Sequence, residues 1–345
     1  MLEQVRHDGL LAPDRPVVVL YSGGRDSTCL LDLAARVAGP GAVSALHVNY
    51  GLRAAADGDE DHCRRFCEGL GVRLEVRRPS RPEPNRTHDL THPPENRIHD
   101  LTQPPRNLQA WARDQRYGAA TLLALQRGAE VAAGHTATDQ VETILYRLAS
   151  SPSRRALLGM APRSGRLIRP LLGFTREQTS AYCEDRGLAW REDESNASDA
   201  YARNRIRQDL VRALESVHPA AQANVLAVAE ILRDEARVLD QWVDSELSGR
   251  GEISLTRLRE LTPALRRLVV QRLADAAAGE PAAGVARRAD AVAAMSEVAS
   301  TALDLPHGVR ATASRGVVRF GRTPPRPGSD QPNQGARKRP HKLNP

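Results

Sequence analysis

Aromatic residues are scarce. Phe, Trp and Tyr make up 3% of the 345 residues, although 41% of the chain is hydrophobic. That apolar share is enough to bury a core, and the core has to be built from Leu, Val and Ala rather than from stacked rings. Cysteine is also sparse. Cys29, Cys63, Cys67 and Cys183 form no C-x-x-C pair, which excludes a disulfide framework and the usual zinc spacing. Cys63 and Cys67 lie four apart, share one face of a helix, and read as reduced, half-buried thiols. No stretch approaches the roughly 20 apolar residues that span a bilayer, so no membrane partner is expected. Met1 to Pro13 carries acidic residues and no apolar run of signal-peptide length. These absences predict a cytoplasmic protein.

What is abundant is positive charge. Forty-nine Lys and Arg against 42 Asp and Glu give a formal charge of +7, a balance that favours a polyanionic partner such as nucleic acid. The length suits about two domains.

Along the chain, short apolar runs alternate with helical patterns. Pro16–Tyr21 is a β-branched run that stops at Ser-Gly-Gly, and Leu30, Leu31, Leu33, Ala34 and Val37 then follow at helical spacing. Further strands are expected at Ala42–Asn49, Val72–Val76 and Glu130–Ala133. Helices are expected at Asp57–Leu70, Leu108–Gln126 and Thr138–Leu148. Such alternation predicts an α/β domain with a doubly wound parallel sheet over residues 1–214. Residues 79–106 break the rhythm with a tandem repeat, Asn85–Glu95 followed by Asn96–Arg106. It reads as a lengthened surface loop, and His88, His92 and His99 lack the scaffold that fixes metal ligands. Composition shifts near Leu214. Residues 215–321 predict a second, mainly helical domain, with one hairpin at Val309–Phe320, and 322–345 form a basic tail able to touch phosphate.

The segment with chemistry is Ser22-Gly23-Gly24-Arg25-Asp26-Ser27, at a strand-to-helix turn. Two glycines let the backbone approach an anion, and the helix start offers N–H groups and the positive dipole end. Ser22 and Ser27 add hydroxyls. Asp26 repels phosphate unless a cation bridges them, so Mg²⁺ is implied. The Lys of a Walker A loop is missing. Arg113 and Arg116 share a helix face and suit phosphate charge or a nucleic-acid backbone. Asp139 and Glu142, three apart and beside His135, suit a cation or an amine. His47 and Asn49 end the second strand, where open α/β sheets bind ligands.

The hexapeptide resembles the S-G-G-x-D-S signature of the PP-loop ATP pyrophosphatases. Four later segments resemble the tRNA(Ile)-lysidine synthase family within them: His47–Arg53, with Tyr50 in place of the usual His; Ala112–Tyr117; Gly134–Thr143; and Asp193–Asn196 followed by Arg203–Arg207. The match runs from about Val17 to Leu210. It implies cleavage of ATP to AMP and pyrophosphate, adenylation of the wobble cytidine of a CAU-anticodon isoleucine tRNA, and attack by L-lysine, a carbon–nitrogen ligation that forms lysidine. It places ATP on Ser22, Gly23, Gly24, Arg25, Asp26, Ser27 and His47, and the metal on Asp26. Catalysis falls to Asp26, Arg113, His135 and Asp139. Arg116, Glu142, Asn196, Arg203 and Arg207 are left to hold the substrates. The resemblance allows a homodimer; oligomeric state and tRNA discrimination are not legible.

The chain departs from the pattern at Thr138, where the family has the first of two aspartates, and at Ala149–Arg155, which replaces a glycine-rich stretch. Two alternatives stay open. Another PP-loop enzyme, a tRNA thiolase or an amidating synthetase, would be expected to bring paired cysteines or an amidotransferase domain. A non-catalytic RNA-binding relative would have kept the fold alone.

Overall fold

The computed structural model describes residues 1–52, 55–80, 108–150, 154–191 and 205–324. The chain forms two compact units, Met1–Leu232 and Arg233 onward.

In the first unit the strands β1 (Val17–Leu20), β2 (Val43–Val48), β3 (Arg73–Arg77), β4 (Glu130–Ala132), β5 (Arg163–Ser164) and β6 (Leu167–Ile168) form one sheet in the order β3-β2-β1-β4-β6-β5. All pairs are parallel except the β5–β6 edge; Val17 pairs with Val43 on one side and Glu130 on the other. The helices of this unit include α1 (Leu2–His7), α2 (Arg25–Ala38), α3 (Ala56–Leu70), α4 (Leu108–Gln126), α5 (Ala137–Ser150), α6 (Arg154–Leu157) and α7 (Arg176–Asp185). The predicted doubly wound parallel sheet is therefore present.

β1 is apolar throughout because both its faces are covered. Val17, Val19 and Tyr21 pack with Leu30, Leu31 and Leu33 of α2, whereas Val18 and Leu20 pack with Ala120, Leu123 and Ala124 of α4. With so few rings available, the thiols fill gaps as small apolar groups. All four cysteines are free, buried and part of the α2-side core. Strand order reverses between β1 and β4. At such a switch point the connections leave in opposite directions and open a crevice at the carboxyl edge.

The second unit joins helices Leu255–Glu260, Pro263–Ala278 and Ala289–Ala293 to a four-stranded antiparallel sheet. Its strands β7 (Glu252–Ser254), β8 (Thr301–Leu305), β9 (Val309–Ser314) and β10 (Val317–Arg322) lie in the order β7-β10-β9-β8. The expected hairpin is β9–β10. Its two-residue turn, Arg315-Gly316, has φ values of 51° and 73°, the left-handed pair that matches strand twist. β7 and β8, which the helical reading passed over, complete that sheet around Val270, Val309 and Val318. Among the described residues no helix is long and apolar enough to cross a membrane.

Candidate active site at the carboxyl edge of the parallel sheet

The loop Ser22–Ser27 connects β1 to α2. Gly23 has φ +82°, and a Cβ there would stand 3.1 Å from Cys63 Sγ, so only glycine fits. Gly24 caps α2 without any side-chain hydrogen bond to the first turn, which leaves that turn's donors available to an anion. The hydroxyls hold the loop's shape. Ser27 Oγ donates to Gly24 O at 2.8 Å and lies 3.1 Å from Ser22 Oγ, and the Gly24 N–H donates to Ser22 Oγ at 3.3 Å. From outside the loop, the Arg191 N–H donates to Gly23 O at 2.9 Å, and Arg191 Nε is anchored on Asp59 Oδ1 at 3.1 Å.

Asp26 lies in the first turn of α2. Arg25 Nε and Thr179 Oγ1 both donate to its Oδ1, at 3.1 and 2.6 Å. Arg25 also donates to Ser180 Oγ at 3.0 Å. Arg176 joins the two predicted carboxylates. Its Nη2 donates to Asp139 Oδ1 at 2.8 Å, and its Nε stands 3.8 Å from Asp26 Oδ2. Asp139 is buried at the start of α5, where the Thr136 N–H and hydroxyl donate to its Oδ2 at 2.9 and 3.0 Å. Burial alone would raise the Asp139 carboxyl. The Arg176 guanidinium, the Thr136 donors and nearby His135 outweigh that and hold it below its ordinary value. The loop and the Gly134–Thr143 segment, more than a hundred residues apart in sequence, thus form one cluster.

Gly134 makes this approach possible. A Cβ on it would lie 3.1 Å from Asp26 O and 3.3 Å from Ser27 N, both backbone atoms. Gly134→Ala is expected to displace the loop, destabilise by about 1–3 kcal/mol and weaken ATP binding about tenfold. Unchanged ATP affinity by isothermal titration would show that the close approach is irrelevant to the nucleotide.

The other predicted residues separate into groups. His47 is buried behind the loop, with Nδ1 3.0 Å from Tyr21 O and 3.4 Å from Cys63 Sγ. Burial pulls its imidazole below the ordinary value, so it is neutral near pH 7. Asn49 holds Asp57 and Glu60, each at 3.1 Å. Glu142 is fully buried, and Arg207 Nε donates to its Oε1 at 2.5 Å. Arg113 and Arg116 stand over the Tyr117 ring at 4.7 and 5.5 Å. Because α4 runs back towards the start of β4, this half of the helix is at the carboxyl edge. Asn196 and Arg203 lie outside the described residues, as do the His88, His92 and His99 repeat and residues 325–345 of the basic tail.

Two departures acquire a physical account. Thr138 Oγ1 accepts the Arg176 N–H at 3.3 Å, so a neutral hydroxyl meets the start of α7 where the family pattern has a carboxylate. Tyr50 reaches α4, donating to Ala112 O at 2.7 Å with its ring edge-on to Trp111. Sequence reasoning missed Arg176, Thr179, Ser180 and Arg191. The one local signal was the Thr175–Gln178 capping box, which fixes where α7 begins.

A strand, a glycine turn and an uncapped helix start beside two carboxylates define a nucleotide-handling PP-loop site. Residues 2–214 match the model of the PP-loop domain, and the chain belongs to the PP-loop family. It is 35% identical over 265 residues to a tRNA(Ile)-lysidine synthase of Pseudomonas fluorescens, covering 75% of this chain and 55% of that one. It is 32% identical over 328 residues to that of Geobacter sulfurreducens, covering 91% and 66%. The chain spans about half to two-thirds of the length of these curated relatives. Among solved structures, the U34-tRNA thiolase NcsA of Methanococcus maripaludis superposes with a TM-score of 0.51 at 16% identity, over 67% of this chain and 77% of that one. This likeness concerns the fold alone.

Proposed function

We propose that this protein uses ATP to ligate L-lysine to the wobble cytidine of the CAU-anticodon isoleucine tRNA, in the cytoplasm, with release of AMP and pyrophosphate. The observation that carries this reading is the meeting of Asp26 and Asp139 beside an uncapped helix start, in a chain whose curated relatives are lysidine synthases. The phosphates of ATP would lie along Ser22–Ser27.

The donor set fits Mg²⁺. Two carboxylates supply hard oxygens, and among the described residues no third acidic, His or Cys side chain joins them. Mg²⁺ is commonly held by one or two carboxylates together with substrate phosphates. Asp26 and Asp139 would hold it, and when bound it would neutralise charge on the phosphates.

The cytosine carbonyl oxygen is a poor leaving group. In the first step it bonds to the α-phosphorus and the bond to pyrophosphate breaks. In the second, the neutral lysine amine bonds to the ring carbon, the carbon–oxygen bond to AMP breaks, and the amine gives up a proton. Arg113 and Arg116 suit the phosphate charge of these steps. Asn196 and Arg203 are assigned to the substrate side; Glu142 and Arg207, expected there as well, pair with each other. The buried state of all four cysteines leaves the thiolase alternative without an exposed thiol.

The test incubates the purified protein with ATP, Mg²⁺, labelled L-lysine and the CAU-anticodon transcript. Label is expected on the tRNA with equimolar AMP. Normal tRNA binding with no label would sink the reading.

A further inference from the structure

Arg169 follows β6 directly and emerges at the same sheet edge as the Gly134–Thr136 turn, because β6 pairs in parallel with β4. Its residue is only 8% exposed. Nη1 donates to Ala161 O at 2.6 Å, while Nε is enclosed with no acceptor. Among the described residues no acidic side chain pairs with it. Its charged surroundings are cationic: burial first, then Arg113 and Arg147, pull the guanidinium below its ordinary value, opposed by Tyr117. Arg116 repeats the pattern, since its Nε is also enclosed without an acceptor. Arg113 and Arg116 both stand over the Tyr117 ring.

We propose that Arg169, with Arg113 and Arg116, forms a second oxyanion subsite, separate from the Ser22–Ser27 loop, that takes one phosphate or carboxylate group of a substrate. An arginine does not shed its proton in a protein, so a desolvated guanidinium among like charges is costly until an anion offsets it. Bracing Ala161 alone would not require a charge, since a neutral donor makes that bond. Planar forks suit phosphate and carboxylate geometry. Which substrate brings the oxyanion rests on the function proposed above. The source is either a tRNA phosphate or the α-carboxylate of the amino acid.

The test compares the full-length wild type with Arg169→Met and Arg169→Lys. Ligand-free melting comes first. Arg169→Met is expected to melt at or above the wild-type temperature, because an apolar side chain replaces an uncompensated buried charge. Sodium phosphate is then added against sodium chloride of equal ionic strength. The loop contributes equally to both proteins, so the difference isolates the subsite. The phosphate-induced rise is expected to fall by about half or more in Arg169→Met. A lower ligand-free melting temperature with an undiminished phosphate response would assign Arg169 to bracing and overturn the proposal.

Two further arms identify the source. A rise of about tenfold in half-saturation for L-lysine, with 1,5-diaminopentane unaffected, identifies the carboxylate. A weaker tRNA affinity whose salt slope is shallower by about one identifies a phosphate. Neither change in a folded variant overturns the proposal. Should Arg169→Met not fold, Arg169→Lys carries the test: it keeps the charge without the fork, and an undiminished phosphate response again overturns the subsite. Failure of wild-type lysine transfer would remove the functional reading and leave the phosphate comparison intact.

Discussion

Asp26→Ala is expected to lower AMP release by about a thousandfold, roughly 4 kcal/mol of transition-state stabilisation, while tRNA affinity changes by less than about twofold. The argument for a large effect is local. Asp26 occupies the first turn of an uncapped helix, where phosphate would sit, and it is one of two carboxylates brought together there. Without it, the proposed Mg²⁺ site would keep Asp139 alone. The argument for a small effect on stability is equally local. The side chain is 20% exposed, and an acid in a first helical turn contributes about 0.3–1 kcal/mol. Arg176 still has its 2.8 Å bond to Asp139. Asp26→Asn separates charge from position. Its amide oxygen can still accept from Thr179 Oγ1, which donates to Oδ1 at 2.6 Å in the native protein, but the negative charge is gone. AMP release should therefore fall as far in Asp26→Asn as in Asp26→Ala, measured with labelled ATP and checked by filter binding of tRNA. Near-native release from Asp26→Asn would make Asp26 a residue of shape and remove it from the metal.

The alternation of strands and helices was legible because it depends on periodicity, which neighbouring residues carry. β1 could be read from Val17–Leu20 since a strand covered on both faces is apolar at every position. Strand order was not legible in this way, because nothing between Leu108 and Ala132 records that β4 joins β1 on the side away from β2. β5 and β6 span two residues each, too few for a period of two to register. The same distinction governs the site. Asp26 and Asp139 stand in recognisable motifs, but the residues that hold them come from α7. Thr179 is 153 positions from Asp26, and its role follows only from the packing of α7 on α2. Gly134 was visible as part of a motif, whereas the reason for a glycine there is the Asp26 carbonyl 3.1 Å from where its Cβ would be. His47 was read at a ligand-binding strand end and lies there, but with its ring buried behind the loop.

Arg207→Met is expected to cost about 3–5 kcal/mol of stability, the usual result of removing one partner from a buried ion pair. Glu142 is the reason. Its side chain is 0% exposed, Oε1 is held by Arg207 at 2.5 Å, and Oε2 has no hydrogen-bond partner among the described residues. Arg207 is thus the main compensation for this charge. The local geometry around it is unusual, since Ile206–Val211 winds as a π-helical turn, a form frequently found at functional sites. The turn also packs Val211 against Val141 and Leu145, which flank Glu142 on α5. In Arg207→Met the buried carboxylate would lose its cation. Glu142→Gln removes the charge, so adding it to Arg207→Met should recover more than half of the loss at pH 7. Urea denaturation of the four proteins gives the coupling directly. If Arg207→Met costs less than about 1 kcal/mol and the two changes simply add, Glu142 is compensated by another group, and Arg207 belongs to the substrate rather than to the fold.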